Sequence, residues 1–278
     1  MRSEATETPV EFPVRSTGRV VGPVRAAWLQ VEGNWIWYRR YWYTTVFSSI
    51  AMPLLFLVAM GLGFGSQVRA GAATDGLPYL VYLTPALLVS GAMQNAVTES
   101  SFPVLSGFKW QKDFLARAAT PLTPGQLFGG RLLWVALRVA SAAIIYLLVA
   151  ACLDALAGPG ALLALPVAVL VAVACGAPVM ALAATVNTGG SAFNALARFA
   201  VMPMTLFAGT FFPVTTLPAP IRVLVWISPL WHGTSLARAA AFGGMAWPAV
   251  VGHVAYLLGL FAVGVWLACW RFRVRLIQ

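Results

Sequence analysis

The sequence predicts an all-α integral membrane protein with six transmembrane helices, and three observations carry that prediction. Hydrophobic residues fill 60% of the 278 positions and charged residues only 9%, too little polar surface to coat a soluble globule of this size. The apolar residues gather in six runs near the roughly 20 residues a helix needs to cross a hydrocarbon core about 30 Å thick. Within those runs Leu, Ala and Val follow one another without the apolar–polar alternation of a membrane β-strand.

The runs cover residues 43–62, 79–97, 132–153, 161–186, 199–212 and 249–270, the fifth being the shortest. Basic residues set their orientation. Arg39 and Arg40 precede span 1; Lys109, Lys112, Arg117 and Arg131 lie between spans 2 and 3; Arg198 precedes span 5; Arg271, Arg273 and Arg275 follow span 6. With six spans these all fall on one side, against Arg69, Arg222 and Arg238 on the other, so both termini are expected in the cytoplasm. The formal charge of +10 is then a topology signal and an attraction to anionic membrane lipid. The arginines are dispersed along helix ends, which argues against a nucleic-acid partner.

Residues 1–23 are polar and proline-containing with no early hydrophobic run, and are expected to be a flexible cytoplasmic tail and not a cleaved signal peptide. Over residues 24–42, Val24, Trp28, Val31, Trp35, Tyr38 and Trp42 recur at steps of three and four. That spacing predicts an amphipathic helix lying in the inner interface, with Gly33 as a point of interruption. Residues 43–278 form one transmembrane domain.

Two segments of that domain stand out. Residues 99–131 are the sizeable internal cytoplasmic stretch, where Phe108, Lys109, Trp110, Lys112, Asp113 and Phe114 predict a short amphipathic helix over 107–119. Pro121 and Pro124 stop it, and Thr123 caps the next helix. Residues 211–246 are oily, yet Pro213, Pro218, Pro220 and Pro229 cut them into pieces too short to span, with Trp226, Trp231 and His232 among them. Backbone freed by proline at membrane depth has to be buried in protein or line a cavity.

Several chemistries are excluded or disfavoured. The two lysines, Lys109 and Lys112, do not follow glycine, so no phosphate-cradling loop is present and this chain does not hydrolyse ATP. The acids Glu4, Glu7, Glu11, Glu32, Asp75, Glu99, Asp113 and Asp154 sit in tails, loops or span ends, which disfavours an ion-coupled carrier. No HExxH, paired aspartate or close Cys/His pattern offers a catalytic or metal site. Cys152, Cys175 and Cys269 lie in or beside spans and are expected to be inert, unpaired thiols.

The strongest polar features within the spans are Gln94 and Asn95, with Glu99 at the end of span 2, Arg131 and Arg138, seven apart on one face of span 3, and Asn187 and Asn194 near the inner ends of spans 4 and 5. Arg131 can snorkel to the inner surface. Arg138 lies deeper, where a charge costs on the order of 2.5–3.5 kcal/mol, so it needs a partner or a wet cavity. Glu99 is the counter-ion nearest in depth. A structural ion pair and a substrate contact both fit this spacing.

The stretches "KDFLARAATPLTPGQLFGGRLL" and "GTFFPVTTLPAPIRVLVWISPLWHGTSLARAAAFG", set in this six-span layout, resemble the permease subunit of ABC-2 type (type V) ABC exporters. The likeness covers almost the whole chain from Trp28, and "SPLWHG" followed by "LARAA" is similar to the branch of nodulation-factor lipo-oligosaccharide and daunorubicin-type drug exporters. The resemblance implies that residues 211–246 form a re-entrant helical hairpin between spans 5 and 6, entering from outside and returning. It implies docking of the 107–119 knob into a separate cytoplasmic ATPase, present in two copies, with Phe108, Trp110 and Phe114 as anchors and Lys109, Lys112 and Asp113 at the rim. ATP and Mg belong to that partner, and this chain binds no cofactor. A second permease copy or a homologue completes the pathway, with Gly61 and Gly65 as a small-residue contact. The implied cargo is an amphipathic lipid-linked oligosaccharide or glycolipid leaving across a bacterial inner membrane. Hydrophobic drug efflux is the alternative within the family, and an ion-coupled carrier the alternative outside it.

Overall fold

A computed structural model describes residues 21–64, 76–187 and 189–277. Most of the expected tail, together with Gly65 of the small-residue pair, lies outside the described residues. Every regular element among them is helical. Helix α1 (Pro23–Phe56) runs on as a π-helix, Leu57–Phe64. Then come α2 (Tyr79–Ser100), α3 (Phe102–Lys109), α4 (Asp113–Ala118) and α5 (Pro124–Cys152). A 3-10 turn, Pro159–Leu163, leads into α6 (Ala164–Thr185); α7 (Ser191–Leu196) passes through a π turn into α8 (Met202–Phe207). The short helices α9 (Ala219–Ile227) and α10 (Pro229–Phe242) precede α11 (Trp247–Ile277).

Four helical stretches among the described residues are long and apolar enough to cross a membrane: Tyr79–Lys109, Pro124–Cys152, Pro159–Thr185 and Trp247–Ile277. They contain expected spans 2 and 6 and all but the last residue of spans 3 and 4. Expected span 1 falls in the second half of α1 and its π continuation. Expected span 5 is the α7–α8 rod, which at 1.5 Å per residue is about 25 Å long, short of the hydrocarbon thickness.

One boundary differs from the sequence expectation. The amphipathic stretch 24–42 and the first apolar run are a single helix, with no break at Gly33 or at residue 42. A helical glycine costs only about 1 kcal/mol; Gly33 itself is exposed, and the helix is held through its other face by packing along α5, so the penalty is absorbed. Val31 and Tyr38 are buried on that face, whereas Trp28 and Trp35 stay exposed.

The core is built around α6, which lies between α2 and α11. Its small residues, Ala168, Ala172, Gly176 and Ala183 among them, let the neighbours approach closely. A Cβ at Gly264 of α11 would stand 2.6 Å from Pro178 Cδ, so only glycine fits this crossing. Likewise α10 wedges against α2 and α6 through Gly233, where a Cβ would meet Val171 at 2.4 Å and Val89 at 2.8 Å. The Tyr146 hydroxyl of α5 donates to the Thr84 carbonyl beside Pro85 of α2 at 3.2 Å, tying α5 to the same core.

Candidate functional site

The knob between α2 and α5 is two short helices and not the single helix expected over 107–119. The break is at Lys112, whose φ of 55° turns the chain into α4. Gly107 makes the fold-back possible: a Cβ there would lie 2.6 Å from both Asp113 Oδ1 and Phe114 Cε2. As a result Phe114 stacks on Phe108 with centroids 4.8 Å apart, and both rings meet Phe272 of α11, at 5.5 and 4.9 Å. Phe128 of α5 closes the cluster at 5.7 Å from Phe272.

This corrects the expected docking surface. Phe108 and Phe114 are buried within the chain, where each contributes on the order of 1.5–3 kcal/mol of packing, and so they are not outward anchors. Trp110 is the aromatic of the trio that faces out, 55% exposed, flanked by exposed Lys109 and Lys112. Asp113 pairs with Arg117 at 3.4 Å within α4. Lys109 Nζ donates to the Asn187 carbonyl at 3.1 Å, and Arg275 of α11 donates to the carbonyls of Ala183 and Val186 at the end of α6, at 2.9 and 3.1 Å, with its guanidinium 4.5 Å over the Phe108 ring. The knob is therefore fastened to the C-terminal ends of α6 and α11. Thr123 and Gln126 form a reciprocal capping box that starts α5, with Pro124 in its first turn.

Directly behind the knob, Glu99 stands between two arginines of α5. Arg131 reaches its carboxylate at 3.3 Å and its backbone carbonyl at 2.8 Å, and Arg138 pairs with the other carboxylate oxygen. All three side chains are nearly buried, at 13–17% exposure. The Arg138 guanidinium also lies 5.3 Å from the Tyr38 ring, which packs edge-on against Trp134 at 5.5 Å. Glu99, Arg131 and Arg138 line a cavity of about 680 Å³ that reaches Trp110 and Gln111 on the knob. Gln94 and Asn95 are not among the residues lining it; the Gln94 amide donates instead to Ser90 Oγ at 3.3 Å.

The oily segment after α8 is two short helices, α9 and α10, broken at Ser228–Pro229, where Ser228 is extended as a residue before proline prefers. At about 1.5 Å per residue neither exceeds about 21 Å, so neither spans the hydrocarbon. Pro218 and Pro220 open α9, Pro229 opens α10, and Pro213 precedes a single 3-10 turn. Backbone carbonyls in the non-helical stretch 208–211 are satisfied by side chains: Thr234 donates to Ala208 at 3.1 Å, Arg238 to Thr210 at 3.1 Å, and Tyr79 to Phe211 at 3.1 Å. Arg238 also lies 4.0 Å over the Tyr82 ring. Trp226 is half exposed, and Trp231 packs edge-on against His232 and His253.

The two histidines form a pair that their sequence positions gave no reason to join. Their Nδ1 atoms lie 2.7 Å apart, and His232 Nε2 is 2.9 Å from the Trp226 carbonyl. Since a carbonyl only accepts, His232 carries its proton on Nε2, and its Nδ1 accepts from His253. His232 stacks on Tyr256 at 3.9 Å, whose hydroxyl donates to the Ile227 carbonyl. Burial holds the His232 imidazole below its ordinary range against the opposing Trp226 hydrogen bond, with the neighbouring His253 adding to the lowering.

Sequence reasoning missed Thr234 and Arg238, which the four-residue spacing of two polar groups on a short oily helix signals. It missed Trp134 as well, although the Arg131, Trp134, Arg138 spacing puts all three on one face.

Comparison with known proteins places the chain among its relatives. The ABC-2 type transporter family model matches residues 26–242, from the start of α1 to the end of α10. Nodulation protein J of Sinorhizobium fredii (strain NBRC 101917 / NGR234) is 30% identical over 77% of this chain and 84% of its own length. The proteins of that name from Rhizobium meliloti (strain 1021) and Rhizobium leguminosarum bv. viciae are 29% and 27% identical, over 76% and 78% of this chain and 82% of theirs. With no strand among the described residues and the family match enclosing the knob, the ion cluster and the short helices α9 and α10 alike, the chain belongs to the ABC-2 type transporter family of membrane permeases.

Proposed function

We propose that this chain is the permease subunit of an ATP-driven exporter that moves an amphipathic lipid-linked oligosaccharide or glycolipid out of a bacterial cytoplasm. The observation that carries the reading is the family match across residues 26–242, joined to relatives called Nodulation protein J over three quarters of the chain. In this reading the protein sits in the inner membrane with six spans and both termini inside, α9 and α10 forming a re-entrant pair at the outer face. Two permease chains enclose the pathway, and two copies of a separate ATPase, carrying ATP and Mg, drive it.

The proposed contact for that ATPase is the exposed tip Lys109–Trp110–Lys112. An aromatic ringed by charge is a surface that one large side chain can anchor. Force applied there passes through Phe108 and Phe114 to Phe272, and through Lys109 and Arg275 to the end of α6, because these contacts leave the knob no independent movement. The helices moved first are then α11 and α6, with α5 following through Phe128.

The test is transport by inverted membrane vesicles containing the chain and its ATPase. Accumulation of a labelled acylated oligosaccharide is expected to stop on ATP depletion and to survive dissipation of ion gradients. Uptake that follows the gradients and ignores ATP overturns the reading, and a preference for uncharged hydrophobic drugs moves the cargo assignment to drug efflux.

A further inference from the structure

A second cavity, of about 360 Å³, lies on the other side of Tyr38, Trp134 and Arg138, which line both it and the 680 Å³ cavity behind the knob. The two spaces differ in chemistry. The larger holds three guanidiniums, Arg117, Arg131 and Arg138, against the carboxylates of Glu99 and Asp113, and so keeps an excess of positive charge. Arg131 there has a buried Nε with no hydrogen-bond partner. The smaller runs along the α1–α5 seam past Trp28, Trp35 and Leu137; besides Arg138, its polar members are Glu32 and Ser141. A carboxylate in that groove repels an anionic group, and its aromatic and aliphatic walls suit hydrocarbon.

From this juxtaposition we propose that the α1–α5 seam is a binding site for one single-chain amphiphile with an anionic head. The head lies in the larger cavity, on Arg131 and the face of Arg138 not taken by Glu99, and the acyl chain threads past Tyr38 and Trp134 into the groove. A nearly buried guanidinium gives phosphate, sulfate or carboxylate charge-assisted hydrogen bonds, and both Arg131 and Arg138 line the cavity. The groove is at the small end of ligand clefts and takes one chain and not two. Trp28, Trp35 and Leu137 are 40–55% exposed, so they offer an acyl chain an apolar wall that the protein itself leaves uncovered. The site stands apart from the export reading: binding by the chain alone is its readout, so a failure to bind refutes the seam, and a failure to transport refutes the exporter.

The experiment is native mass spectrometry of the full-length chain in detergent, titrated with lysophosphatidylglycerol. One equivalent is expected to be retained. Monoacylglycerol of the same chain length is expected to bind about tenfold more weakly, the worth of one charge-assisted hydrogen bond. Glycerol 3-phosphate without a chain is expected not to compete. Leu137→Trp fills the groove at an exposed position and leaves Glu99 and its arginines untouched; covering about two methylenes of the chain's path weakens binding about tenfold. Ser141→Phe blocks the same groove independently and is expected to do the same. Equal retention of the neutral lipid overturns the head assignment, and unchanged binding in both folded groove variants overturns the chain assignment. Tighter retention of two-chain phosphatidylglycerol overturns the single-chain assignment and makes the seam a seat for bilayer lipid.

Discussion

Replacing Glu99 by Gln removes the one carboxylate that holds two arginines of α5, and the structure sets the size of the effect. At 3.3 Å and an effective dielectric constant near 20, the Arg131 attraction alone is about 5 kcal/mol. Arg138 adds a second attraction on the other oxygen. Against these stands a desolvation cost of several kcal/mol per ion, already incurred in placing three charges at 13–17% exposure. Glu99→Gln abolishes the attraction and leaves the cost of the two guanidiniums standing, together with the repulsion between them. The expected loss is therefore on the order of 3–5 kcal/mol. Removing Arg138 as well relieves the repulsion, and Arg131 keeps its bond to the residue 99 backbone carbonyl at 2.8 Å. The double variant Glu99→Gln/Arg138→Gln is thus expected to be more stable than Glu99→Gln, with a coupling energy of about 2 kcal/mol. Thermal unfolding of the detergent-solubilised protein, read as a double-mutant cycle, measures both quantities. A Glu99→Gln protein within about 1 kcal/mol of the parent, or a double variant whose losses simply add, refutes the reasoning.

The corrected knob separates two aromatics by role: Trp110→Ala is expected to abolish pull-down of the ATPase with no change in unfolding temperature, while Phe108→Ala is expected to destabilise the chain by about 3–5 kcal/mol. ATPase capture by Trp110→Ala at parental levels removes the tip as the contact. Gly264→Val drives a side chain into Pro178, whose Cδ would be 2.6 Å from the new Cβ, and is expected to lower folded yield sharply on size-exclusion chromatography, with Gly264→Ala intermediate. Because burial lowers the His232 pKa, the unfolded chain takes up that proton first, so stability is fully present above the ordinary imidazole value of 6.5 and declines as pH falls below it. His232→Asn is expected to flatten this slope in unfolding temperature measured across pH, and an unchanged slope assigns the acid sensitivity elsewhere.

Where the sequence could be read, a single local cost decided the matter. Arg138 inside an apolar run demanded a partner, and the polar residue nearest in depth, Glu99, is the one that stands there. Thr123 before Pro124 announced a helix start, because its hydroxyl and the Gln126 amide satisfy each other's backbone neighbours. Phe108, Trp110 and Phe114 sit at a spacing that serves a buried face and an outward anchor equally well. What turns two of them inward is the left-handed Lys112, the missing Cβ of Gly107 and the waiting ring of Phe272 on the last helix. None of these is visible from residues 107–119 alone, since a positive φ at lysine follows from tertiary packing and not from propensity. The α1 boundary failed for the complementary reason: Gly33 is a weak helix breaker, and the seam with α5, supplied by Tyr38 and Trp134, outweighs it. The histidine pair belongs with these, because His232 and His253 meet only once Pro229 has restarted the chain as α10 and aimed it along α11. Local chemistry thus located the polar cluster and the helix break at Pro229, and the contacts that join distant helices determined which faces of the knob and of α1 remain for a partner or a lipid.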